Sequence, residues 1–316
     1  MDANAIAIIS NQKHTYPYIL SHFIQLFSWK YHESNWVFEL YITDYFKFFK
    51  KCPFLDTQRI RKDIINKHWR SNIDFIIDML NQGYYIYLIV NTRYISSYKP
   101  SRTHDLNHDM FIYGYDQIEN EFFIADNFNH GAYSFEKCSY SELENALGNL
   151  NPDKIDVGFN NAIYLLSYKE SNTKLLDLNR IQQGIRAYLD GTEFDDCKDP
   201  NGSYGIEVYQ DYQSYISLLK LGQAEIDYRP IHVFYEHKFL MWKRIEYLCE
   251  HGILRDDSKL LQEFEQISKW SIVIRNLVLK FSITKDKELL DKIPKQLDVI
   301  KCTETDLLEE VLSQFK

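Results

Sequence analysis

Beyond Ser171 the chain reads as one long helical stretch after another. Apolar residues recur at helical spacing over residues 175–189, 205–221, 228–250, 257–281 and 285–315, with breaks at Gly191, Pro200, Gly222, Gly252 and Pro294. Such helices joined by short connections predict a bundle of four or five members. The first half is patterned differently: β-rich runs bounded by turn residues follow a series of shorter helices. Helices first and an antiparallel sheet second predict an α+β domain. The expected organisation is therefore an α+β domain over residues 1–170 and an all-α helical domain over residues 171–316.

Within the first half, Pro17 suits the first turn of a helix, with His14 or Thr15 near its cap. Ile19, Leu20, Phe23, Ile24 and Phe27 continue its spacing, so a helix is expected over 17–29. Residues 56–69 and 71–81 also read as helices, the second capped by Ser71 and stopped at Gly83. Residues 36–49 leave strand and helix both open. YYIYLIVN, residues 84–91, has the composition of a central strand, and a polar loop over 96–107 follows it. A hairpin, a short helix over 141–147 and a strand over 160–168 complete the domain.

A formal net charge of -9 argues against a general phosphate-binding surface, so no nucleic-acid partner is expected. The opening MDANAIAIISNQKH lacks the basic and apolar regions of a secretory signal, and no window reaches the length of a membrane span. A cytoplasmic location and no membrane partner are expected. The five cysteines are scattered and free of CxxC spacing, which fits reduced thiols and no metal site. Aromatic residues make up 16% of the chain, a figure compatible with a broad binding cleft and equally with an A+T-rich coding sequence.

The hairpin is the stretch with chemical content. In NHDMFIYGYDQIENEFFIADNF, residues 107–128, an apolar strand turns through residues 116–120 and returns, leaving His108 at the entrance and Asp126 with Asn127 at the exit. Neither end is what plain sheet packing asks for. Periodicity alone is also satisfied by a loop histidine and an exposed turn aspartate.

GYYIYLIVNTRY, HDMFIYGYD and FFIADN, within residues 83–127, resemble the sheet half of papain-like proteins of the peptidase C39 type, particularly the amino-terminal domain of the butirosin biosynthesis protein H family. The helical half resembles the carboxy-terminal extension of such proteins loosely. The resemblance implies a papain-like fold and a place beside nonribosomal peptide or polyketide assembly lines. It also implies transfer of an acyl group from a carrier-protein thioester to an amine. In that setting a cysteine at a helix N-terminus gives its proton to an imidazole, and a carboxylate or amide holds the imidazole in one tautomer. His108 would be the base and Asp126 its orienting group, with Asn127 the alternative.

The nucleophile departs from the family pattern. NQKHTYPYILSHF, where the family cysteine belongs, offers only Ser10, Thr15 and Ser21 nearby, and Tyr16 or Tyr18 stands at the cysteine position. A neutral hydroxyl is a far weaker nucleophile than a thiolate. Cys52, in KKCPFL, is the one cysteine ahead of the hairpin, and Lys50 and Lys51 would lower its pKa if they pointed at it. Gln12 matches in placement the glutamine that papain-like enzymes use as an oxyanion donor. His14 could face His108, the two binding an acid or a carrier-bound carbonyl. The expectation is an amide-forming acyltransferase that works without a covalent cysteine intermediate. The alternative is a pseudoenzyme that binds a carrier-tethered intermediate. Either would take an acyl or peptidyl carrier protein as partner, its substrate on phosphopantetheine, with a small amine as acceptor for the enzyme and no cofactor of its own. A peptidase is disfavoured by the missing nucleophile.

Three other motifs carry less. PIHVFYEHKF places His232 and Glu236 four apart with His237 beside them, without HExxH order or an obvious third ligand, and reads as a charged helix face. Arg59, Arg61, Lys62, Lys67, His68 and Arg70 form a basic cluster that could receive an acidic carrier or its phosphate, or simply be solvated. TEFDDCKDPNG, residues 192–202, lacks the full calcium loop.

Overall fold

A computed structural model describes residues 2–32, 35–40, 51–98, 105–129, 132–151, 161–171, 176–194, 201–255 and 258–315. In chain order its elements begin with α1 (Asp2–Ser10), α2 (Tyr16–His22), β1 (Phe27–His32), β2 (Asn35–Glu39), β3 (Leu55–Arg61), α3 (Lys62–His68) and α4 (Asn72–Asn81). They continue with β4 (Tyr85–Asn91), β5 (Asn107–Asp116), β6 (Glu121–Asn129), β7 (Ala132–Ser139), α5 (Tyr140–Gly148) and β8 (Ala162–Tyr168). The last are α6 (Leu178–Leu189), β9 (Gly202–Tyr204), α7 (Val208–Leu221), α8 (Arg229–Glu250), α9 (Ser258–Thr284), α10 (Glu288–Asp291) and α11 (Ile293–Gln314). Most of residues 36–49, half of the loop 96–107 and the centre of 192–202 lie outside the described residues. No helix among the described residues is long and apolar enough to cross a membrane.

The protein is α+β, with antiparallel sheets and a helical C-terminal region, and forms two compact units. The first unit joins residues 1–13 to 45–173. Its six-stranded sheet has the order β3-β8-β4-β5-β6-β7. The central strand β4 is buried along nearly its whole length, as its unbroken apolar run requires. Ile86, Leu88, Met110, Ile112 and Ile124 on one sheet face pack with Phe75 and Ile76 of α4 and with Leu143 and Ala146 of α5. Ser71 caps α4 by accepting from the Asp74 amide at 3.1 Å, and Gly83, at φ +88°, supplies the left-handed turn that leads into β4. The hairpin turns where Asp116 accepts from the amides of Ile118 and Glu119, and Asp116 pairs with Glu121.

Several expectations are corrected. The helix expected over 17–29 stops at His22, and Phe27 begins β1. A longer helix would need the carbonyls of Leu20, Phe23 and Ile24 for its own ladder. The buried Arg244 takes the first two at 2.6 and 2.7 Å, and His237 Nε2 donates to the third at 2.7 Å. The helix expected over 56–69 divides into β3, paired with β8 from Leu55↔Tyr168 to Arg61↔Ala162, and the short α3. The break expected at Pro294 is present: the short α10 ends at Asp291, and α11 begins at Ile293 with Pro294 in its first turn.

The second unit joins residues 14–44 to 174–316, so α2, β1 and β2 belong with the C-terminal helices and not, as expected, with residues 1–170. Nor is this unit all-α, since it holds the three-stranded sheet β2-β1-β9. Ile24, Leu26, Trp36 and Phe38 share its core with Tyr209, Phe234, Ile274 and Leu308. At its centre the fully buried Lys238 donates to both Glu304 oxygens, at 3.0 and 2.7 Å, and Tyr188 and Tyr209 donate to the same carboxylate. A charge pair buried this deeply is sustainable because its hydrogen-bonding positions are filled.

Candidate functional site

In the first unit, Phe111 pairs with Ala125, and side chains alternate along each strand. Met110 and Asp126 therefore share the opposite, helix-covered face, with His108 one step further along it. The imidazole and carboxylate are diagonal neighbours, a placement that strands allow but do not by themselves turn into contact.

Contact is made: His108 Nδ1 lies 3.0 Å from Asp126 Oδ2 and 2.8 Å from the Asp109 carbonyl oxygen. With two acceptors on Nδ1, that nitrogen carries a proton, and Nε2 is left as the atom that exchanges one with anything bound. The Asp126 side chain is 7% exposed and that of His108 39%, so the carboxylate is walled in while the imidazole edge reaches solvent. Asp126 Oδ1 accepts from the Asn127 amide at 2.7 Å, and Oδ2 also accepts from the Tyr98 hydroxyl. Burial disfavours the imidazolium, yet the hydrogen bond to Asp126 and the charges of Asp109 and Asp126 raise the His108 pKa to about 9. The resting pair at neutral pH is an imidazolium and a carboxylate.

Of the other sequence candidates, Asn127 and Cys52 do not join this pair by their side chains. Asn127 points its exposed side chain to the opposite face and contributes only its backbone amide. Cys52 is 2% exposed and precedes β3, whose first residue Leu55 is level with Tyr168 at the far end of β8 from Ala162. Following the register through β8 and β4 to β5 puts Cys52 three strands away and roughly 20 Å along them from His108, so the two cannot exchange a proton directly. Cys138, in β7, is buried, and burial with the nearby Glu142 pushes its thiol far above the ordinary range. Gln12 follows α1, its amide bonding to the Ile9 carbonyl at 3.0 Å. It thus stands at the end of the first unit's first helix and not before its start. His14 is exposed and belongs to the second unit, as does Ser21, whose hydroxyl donates to the Pro17 carbonyl and accepts from the Asp177 amide.

Among the described residues no group of three or more His, Cys, Asp or Glu could hold a metal ion. His237 is turned into the second unit's core, away from any shared chelate with His232. Of the basic cluster, Arg59, Arg61, Lys67, His68 and Arg70 are exposed, Arg61 pairs with Asp63, and burial lowers the Lys62 pKa to about 8.

The residue that sequence reasoning missed is Tyr98. It falls in the polar stretch 96–107, and its only signal there is an aromatic ring among hydrophilic neighbours. No protein-family model matches the chain, and no curated protein resembles it at a significant level.

Proposed function

We propose that the first unit is a papain-like acyl-transfer domain that has dispensed with the thiol, moving an acyl group from a carrier-protein thioester to a small amine. The observation that carries this reading is the His108–Asp126 pair, closed at 3.0 Å on Nδ1 with the imidazole edge 39% exposed. The resemblance of residues 83–127 to assembly-line acyltransferases supplies the substrate class. In this reaction the amine nitrogen attacks the thioester carbon, the N–C bond forms and the C–S bond breaks. Neutral His108 accepts the amine proton on Nε2 and delivers it to the departing phosphopantetheine thiolate. Asp126 stabilises the imidazolium while it holds that proton.

With a pKa of about 9, roughly one His108 in a hundred is neutral at pH 7, so single-turnover transfer should rise with pH and level off near 9. The experiment follows an acyl-loaded carrier and candidate amines by intact-protein mass spectrometry. His108→Ala should reduce unloading 100-fold or more, within the usual range for a general base, while Cys52→Ala leaves it unchanged. A stable acyl adduct on this chain would refute the thiol-free route.

The resting imidazolium favours a second reading, in which the domain binds without reacting. A cationic donor held by Asp126 suits a carbonyl or acid group of a carrier-tethered intermediate. Binding that weakens as His108 loses its proton near pH 9, with the carrier remaining loaded, would select this alternative.

A further inference from the structure

We propose that Tyr98 is a positioning residue, its hydroxyl holding the Asp126 carboxylate on His108 Nδ1 and away from Ser134. This rests on the reading of His108 and Asp126 as the working pair.

The case begins with what else could claim the carboxylate. Ser134 of β7 is the direct cross-strand partner of Asp126 and shares its face, whereas His108 is only a diagonal neighbour. The Ser134 hydroxyl is buried and has no hydrogen-bond partner among the described residues. A buried hydroxyl without a partner is costly, so sheet geometry alone would swing Asp126 towards β7. The Asn127 amide does not decide the matter, because it holds Oδ1 from Asp126's own strand.

Tyr98 does decide it. Its hydroxyl donates to Oδ2, the oxygen that faces His108, and its oxygen stands 3.4 Å from the Asp109 carbonyl, the other acceptor of the Nδ1 proton. Its one proton goes to the carboxylate, so it holds Asp126 while standing beside the second group that orients the imidazole. The ring is itself held, 4.7 Å from that of Phe128 and 6.0 Å, edge to face, from that of His108. The segment before it is tied down: the Ser96 amide donates to Glu142 of α5, the Ser97 hydroxyl to the Lys137 carbonyl of β7, and Ile95 is fully buried. A hydroxyl fixed from both sides can hold a carboxylate in place without reorganising when His108 changes charge. The titratable groups acting on His108, Asp126 or Tyr98 are Asp109 on β5 and Tyr133 and Cys138 on β7, with Glu142 of α5 acting on Cys138 and Tyr87 of β4 bonded to Asp109.

The test is the titration of His108 followed by NMR in the full chain. Asp126→Asn should lower its midpoint from about 9 towards the ordinary value of about 6.5. Tyr98→Phe should cover at least half of that fall, and Tyr98→Phe with Ser134→Ala should recover part of it, since the competing hydroxyl is gone. A folded Tyr98→Phe protein that titrates like the wild type overturns the proposal, and a double variant without recovery overturns the role given to Ser134. If Asp126→Asn also leaves His108 unmoved, the pair itself is misread; if only Tyr98→Phe does, the pair stands and Tyr98 falls. Should Tyr98→Phe fail to fold, fluorotyrosine incorporated in the wild-type sequence gives the answer. The ¹⁹F signal of residue 98 must then shift at the His108 midpoint, and a flat signal overturns the assignment.

Discussion

His108 links the site to the stability of its unit. Its folded pKa, raised to about 9, exceeds the unfolded value of about 6.5. The stabilisation is therefore complete below about pH 6.5 and is lost as the pH rises through about 9. Because the side chain is 39% exposed, solvent screening cuts the contribution to roughly 1 kcal/mol. Urea unfolding at pH 6 and pH 10 should show that loss in the wild type and not in His108→Gln. At this scale the open ends of an apolar hairpin drew attention to His108 and Asp126, but only the resemblance to papain-like proteins paired them, because periodicity alone is also satisfied by a loop histidine and an exposed turn aspartate. Tyr98 and Ser134 were not legible in the sequence. One falls in a polar loop tied down by α5 and β7, the other in an ordinary strand placed by sheet register, and only these tertiary contacts bring both to the carboxylate.

Helix α2 shows how an element is ended from a distance. Its pattern runs on through Ile24 and Phe27, but the side chains of α8 occupy the carbonyls that continuation would need. Arg244→Ala should leave the Leu20 and Phe23 carbonyls buried without these donors and open a cavity, costing about 3–5 kcal/mol in urea unfolding. Helix α4 was read correctly from Ser71, its apolar face and Gly83, because cap, period and stop are all local. The helix expected over 56–69 failed for the opposite reason. Gln58, Arg59 and Arg61 are exposed on an edge strand, so only pairing with β8 distinguishes this stretch from a polar helix.

On the scale of the whole molecule, the segment 14–44 is the surprise, for it contributes Ile24, Leu26, Trp36 and Phe38 to the core of the helical unit. A fragment of residues 174–316 should accordingly lack a cooperative thermal transition and near-UV circular dichroism, and should regain both when residues 14–44 are supplied. Recovery with residues 174–316 alone would show that the helices suffice. The Lys238–Glu304 pair carries the same lesson: its members lie on α8 and α11, and nothing near either residue announces the other. The sequence by itself determined the α+β class, the hairpin with its polar ends, and nearly every C-terminal helix, because each depends on periodicity, turn residues and caps within a few positions. The tertiary structure alone decided where α2 stops, which unit residues 14–44 join, and which hydroxyl meets Asp126. Each of those depends on hydrogen bonds or packing between residues far apart in the chain, for which local spacing provides no signal.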